Sequence, residues 1–195
     1  MTRALNADLS LIEWLALELW AKGAVIEEPQ VYALLDGARD PAIEDLVRTS
    51  QAEFACLYEG ELSPSLSAAA PYLLKLNSQL SYTKRLLEES WGHSWGCFVV
   101  VSAHVSLDDL RQHFRTLLRV SDTNGNLLLF RFYDPRVLRL YMPSCTAQER
   151  LALFGPAKAL IVETGTGHSI ITYPVDPAGG PSARLCMRPQ SSGWI

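Results

Sequence analysis

The sequence predicts an α/β fold, a single domain in which a mixed β-sheet is flanked by helices. Three observations carry that expectation. The run CFVVVSA from Cys97 to Ala103 is β-branched and unbroken, the pattern of a central strand covered on both faces. Ser106 to Arg119 is an amphipathic helix with Leu107, Leu110, Phe114, Leu117 and Leu118 on its apolar stripe. Strand-like and helix-like segments are interspersed without strict alternation, which favours a mixed sheet over a doubly wound parallel one. With 195 residues, 48% hydrophobic and 19% charged, the chain is of a size and composition to bury a real core. Residues 1–30 read as an N-terminal amphipathic helix and linker, 31–176 as the α/β domain, and 177–195 as a Pro/Gly/Ser-rich C-terminal tail.

Each element has its own signal. Ser10 and Glu13 have capping-box spacing and open a helix running to about Lys22, closed by Gly23. Leu11, Trp14, Leu15, Leu17, Leu19 and Trp20 leave it little polar circumference, so it needs cover from the rest of the domain or from a partner. Val31 to Leu35 reads as a strand ending at the Asp36-Gly37 turn, and Asp40-Pro41 starts a helix with Ile43, Leu46 and Val47 on its buried side. Phe54 to Tyr58 and Tyr72 to Leu76 are further strands, separated by a loop from Ser63 to Pro71. Ser78 to Glu89 is helical. Arg111, Arg115 and Arg119 recur every fourth residue and form a basic ridge, either a solvated face or a docking ridge for an acidic partner.

Asp122 to Gly125 is turn chemistry that leads into Leu127–Leu138, LLLFRFYDPRVL. Alternation places Leu128, Phe130 and Phe132 on a core face and Leu129, Arg131 and Tyr133 on the other. Asp134 stands at an N-cap with Pro135 at the first helical position, so the chain turns a corner there. Arg131 is expected to pair with Asp134 or Asp36 and fix that corner. Thr146 and Glu149 form another capping box, Gly155-Pro156 stops its helix, and Lys158–Val162 with Ser169–Tyr173 make a hairpin around Gly165 and Gly167.

Charge and cysteines narrow the function classes. A net charge of −4 argues against a general nucleic-acid binder, which needs a basic excess to neutralise phosphates. No apolar run reaches membrane-spanning length and no secretory signal opens the chain, so no membrane role is expected. Cys56, Cys97, Cys145 and Cys186 lie far apart, without a C-x-x-C pair, and read as small hydrophobes in a reducing cytoplasm.

One motif mimics an enzyme. Gly92-His93-Ser94-Trp95-Gly96 matches G-x-S-x-G, and a serine hydrolase using Ser94, Asp134 and His168 can be drawn from it. In such hydrolases a strand enters the serine and a helix leaves it, whereas here the amphipathic YTKRLLEES precedes and CFVVV follows. The expectation is therefore no catalytic residue. His93, Cys97 and His104 lack zinc spacing, and Gly165 to Gly167 lacks a phosphate-loop lysine, so no metal and no cofactor are expected.

Several motifs taken in order add a resemblance. YALLDGA (Tyr32 to Ala38), APYLLKL (Ala70 to Leu76), SWGCFVVVSA (Ser94 to Ala103), LDDLRQHFRTLLRV (Leu107 to Val120), LLFRFYDPRVLRLYMP (Leu128 to Pro143) and LFGP (Leu153 to Pro156) resemble the type VI secretion effector chaperone, or adaptor, family. FRFYDPRVL followed by FGP is the most specific part. The resemblance implies a non-enzymatic bacterial protein that binds a toxic effector and helps load it onto the VgrG and PAAR-type spike, alone or with a second chaperone. Our expectation for the contact surface is Tyr133, Arg136 and Arg139 bordering a groove, with Trp91 or Trp95 as an aromatic anchor. Arg131, Asp134, Pro135 and Asp36 are expected to be the structural corner.

Overall fold

The computed structural model describes residues 9–20, 29–121, 124–165, 167–176 and 184–187. Its centre is a seven-stranded sheet with spatial order β2-β3-β1-β4-β7-β8-β9. The strands are β1 (Gln30–Asp36), β2 (Phe54–Cys56), β3 (Pro71–Leu76), β4 (Gly96–Val101), β7 (Ala157–Glu163), β8 (Ser169–Pro174) and β9 (Arg184–Met187). Strands β5 (Arg119–Ser121) and β6 (Leu127–Leu129) form a separate two-stranded ribbon. The α/β class, with one sheet flanked by helices, is as the sequence predicts. Every described strand pair is antiparallel, so the sheet is not of mixed direction.

Alternation along the central strands divides the interior into two cores. Tyr32 and Leu34, Leu73, Cys97 and Val99, and Leu160 and Val162 face one side. That side is covered by α5 (Leu107–Thr116), α6 (Pro135–Tyr141) and α7 (Ala147–Phe154), through Phe114, Leu138 and Phe154, with Phe132 added from the turn before α6. Val31, Ala33 and Leu35, Tyr72 and Leu74, and Phe98 and Ile161 face the other. There the cover is α1 (Leu11–Leu19), α2 (Ala42–Thr49) and α4 (Ser81–Ser90). The central strands therefore carry apolar residues on both sides, the signature of a sheet buried on both faces.

Helix α1 packs beneath the domain. Trp14 and Leu15 are fully buried, and the Trp14 ring meets Trp91 edge-on at 5.8 Å. The Ser10 and Glu13 capping box is formed, whereas Lys22 and Gly23 lie outside the described residues. Capping boxes also open α5 at Ser106 and α7 at Thr146.

Three local expectations are corrected. The Ser63–Pro71 loop contains a short helix, α3 (Pro64–Ala68), capped by Ser63. The segment from Leu127 to Tyr133 is a strand only as far as Leu129, and the ribbon leaves Leu128 49% exposed instead of buried. From Phe130 the chain coils, so that Phe132 and Tyr133, adjacent in sequence, are both buried. Within the stretch taken as a tail, Arg184–Met187 pairs with β8 as the sheet's edge strand, and Trp194 lies outside the described residues.

Candidate functional site

The corner is built at the end of the sheet where β1 finishes. Asp36 is fully buried there, its N–H donating to the Trp95 carbonyl at 2.7 Å. Its carboxylate accepts from the Ala38 N–H at 3.2 Å and from Arg131 Nη2. Gly37 is required next to it, because a Cβ at that position would lie 2.5 Å from the carbonyl oxygens of Ala68 and Ala70. Burial pushes the Asp36 carboxyl above its ordinary range, and the Arg131 guanidinium offsets only part of that.

Asp134 completes the corner. It caps α6 by accepting from the Arg136 N–H at 2.9 Å, and it also takes Arg136 Nε at 3.0 Å and Nη2 at 2.6 Å. Burial acts to raise its carboxyl, but the hydrogen bonds from Arg136 outweigh burial and hold it below the usual range. Pro135 occupies the first turn. Tyr133, next to Asp134 in the chain, is buried, and burial first, then Tyr58 and Asp36, drives its phenol well up.

Arg139 donates from Nη1 to the Glu163 carbonyl at 2.7 Å. The Glu163 side chain, itself buried, is held by the turn that carries the serine motif. It accepts from the Gly92 N–H, from the Ser94 N–H at 2.7 Å and from Ser94 Oγ at 3.1 Å. Trp91 Nε1 donates to the Gly167 carbonyl at 2.5 Å. The 91–94 turn is thus latched to the end of β7, with Gly92 and Ser94 both at positive φ.

That geometry inverts a nucleophile elbow. Helix α4 enters the turn and strand β4 leaves it, and the Ser94 hydroxyl addresses a carboxylate rather than an imidazole. His93, Cys97 and His104 do not converge, and the described residues hold no group of three or more metal-ligating side chains. Burial pushes the Cys97 thiol up to about 12.

The expected contact residues separate. Tyr133 belongs to the core under α5 and α6, while Trp91 and Trp95 belong to the core on the opposite face of the sheet. The space beside the two tryptophans measures about 10 Å³, too small for a docked side chain. Of that group only Arg136, half exposed, and Arg139 reach the surface. On α6 they flank Leu140, which is 81% exposed.

A second exposed apolar surface lies on the β5-β6 ribbon. Ribbon β5-β6 exposes Leu127 at 64% and Leu129 at 54% as well as Leu128. Beside it is a groove of about 780 Å³ between the 57–66 segment and the end of α5, lined by Leu57, Leu62, Leu66, Leu118, Arg119 and Leu129 among others. Arg115, the middle of the basic ridge, does not face out freely. It donates to the carbonyls of Leu57, Cys56 and Tyr58 and pairs with Glu59 at 3.2 Å, tying α5 to the chain beyond β2. The sequence signal for the groove was three consecutive leucines after an Asn-Gly-Asn turn, which no one-sided strand can bury together.

Corner, ribbon and groove fall inside one matched region. Residues 31–152, more than half of the chain, match the family described as a domain of unknown function, DUF4123. The chain belongs to the DUF4123 family. Neither the curated proteins nor the solved structures gave a match. The DUF4123 region contains Asp36, Arg131, Asp134 and Arg136 but not Glu163, so the latch on the serine turn is closed by a residue beyond it. No helix among the described residues is long and apolar enough to cross a membrane.

Proposed function

We propose that this DUF4123 protein is a non-enzymatic adaptor of the bacterial cytoplasm. It binds a secreted effector polypeptide and assists its loading onto the VgrG/PAAR spike of a type VI secretion system. One observation carries the reading. Phe132, Tyr133 and Asp134 of the family-like motif are buried, yet the chain on either side exposes large apolar side chains, Leu127–Leu129 before and Leu140 after. A rigid corner with apolar contact surface on both flanks suits the gripping of another polypeptide. Holding an effector until delivery requires only that affinity for the free effector exceed affinity for the effector already seated on the spike.

Co-expression with a candidate effector from the same gene cluster tests this. The effector is expected to stay soluble and co-purify with the chain, and to aggregate without it. An effector equally soluble in both cases, with the chain eluting alone, contradicts the reading. Binding of the chain to spike protein with effector absent would instead make it a structural accessory of the secretion machine.

A further inference from the structure

From the β5-β6 ribbon we infer that the partner enters as an extended strand, apolar along its length and carrying a carboxylate, which adds to the ribbon's free edge and lays its side chains in the adjoining groove. The inference rests on the adaptor reading and specifies the form of the bound segment.

Cross-strand partners share a face, so Arg119 with Leu129 and Ser121 with Leu127 lie on one side, and Val120 with Leu128 on the other. The first side is continuous with the groove, which both Arg119 and Leu129 line. Leucines on both sides of a two-stranded ribbon leave neither face suited to water, and two strands alone are marginal in stability. Neither β5 nor β6 pairs with a further strand among the described residues, so each keeps an edge of backbone donors and acceptors open for strand addition.

Charge selects the occupant. Arg115 is already satisfied by Glu59 and three carbonyls, whereas Arg119 has no carboxylate partner among the described residues. The groove is also lined by Tyr58, Gln112, Thr116 and the Arg115–Glu59 pair, and because Glu59 is taken by Arg115, the Arg119 guanidinium favours an acidic group on the incoming segment.

The test uses the whole chain and a fluorescein-labelled probe peptide of alternating leucine and threonine ending in two glutamates. Anisotropy is expected to show saturable binding, roughly tenfold weaker for a probe ending in two lysines. Arg119→Glu should reverse that preference, and Leu129→Glu, folded by circular dichroism, should abolish binding. N-methylation of one edge of the probe should block binding while methylation of the other is tolerated, which a helical ligand would not show. Absence of saturable binding up to millimolar probe, or binding indifferent to Leu129→Glu and to probe charge, overturns the inference. So does a concentration-dependent dimer dissolved by Leu128→Glu in sedimentation velocity, which gives the ribbon to a second copy. Probe binding without effector co-purification would remove the secretion role and leave the strand-adding surface. Effector co-purification unaffected by Leu129→Glu would do the reverse.

Discussion

Arg131 and Asp36 lie ninety-five residues apart in sequence, and a hydrogen-bonded ion pair joins them at the end of the central strand. The carboxylate is fully buried and the guanidinium is partly exposed, so the pair pins the corner segment onto the sheet from outside.

Arg131→Met leaves a buried charge without its partner and is expected to destabilise the fold by about 3 kcal/mol near neutral pH, read by urea denaturation. The pH dependence has a definite sign. Asp36 has a raised folded-state pKa, so its contribution to stability is full below the ordinary carboxyl value and is lost as pH rises through the raised one. Removing the cation raises it further. The cost of Arg131→Met should therefore shrink as the solution is acidified and grow toward neutrality, and a cost independent of pH would show that the pair does not set the state of Asp36.

Asp134 behaves in the opposite sense. Its folded-state pKa is depressed, so its contribution is present above the ordinary carboxyl value and lost as pH falls through the lowered one. Asp134→Asn keeps a capping side chain but loses the charge against Arg136, at a cost of roughly 1 kcal/mol at neutral pH. The wild-type and variant stability curves should converge in acid.

Gly96 tests the close approach of β1 and β4. A Cβ there would sit 2.1 Å from the Leu34 carbonyl oxygen, so Gly96→Ala must part the two central strands and should cost about 3 kcal/mol. Gly60, at φ +77 with nothing within 4 Å of its Cβ position, is the control and should cost about 1 kcal/mol as alanine. Thermal unfolding of the two variants separates steric conflict from backbone preference.

How much of this was legible in the sequence depends on how local the cause was. The capping boxes at Ser10 and Thr146, the Asp134-Pro135 helix start and the β4 run are set by a few neighbouring residues, and all appear as expected. Asp36 and Asp134 were both open as partners of Arg131, and the fold chooses Asp36 because the chain coils after Leu129. That coil was hidden. The alternation of Leu128, Phe130 and Phe132 argued for a longer strand, but β5 offers only Arg119–Ser121 as a partner, and pairing ends where it ends. The contact residues were not legible for a different reason: Tyr133 lies in the turn before α6 and Trp91 and Trp95 in the turn between α4 and β4, and only the tertiary fold sends the two turns to opposite cores. Helix α3 has no apolar stripe to announce it, only Ser63 and Pro64 at its start.

The serine turn yields a further expectation. Ser94 is buried, at positive φ, with its hydroxyl donating to Glu163. A fluorophosphonate probe should leave it unlabelled. Labelling that disappears in Ser94→Ala would restore the hydrolase. Glu163→Gln, which weakens three hydrogen bonds to that turn, should lower stability by roughly 2 kcal/mol and shift the emission of the neighbouring tryptophans.

The central claim is that the chain acts by holding another polypeptide. Light scattering on the complex purified after co-expression with effector tests it most directly. The account predicts one species whose mass is the sum of chain and effector, lost when Leu128 and Leu129 are both changed to glutamate in a chain that still folds. A wild-type chain that elutes at its own mass, with the effector in the pellet or equally soluble alone, would contradict it.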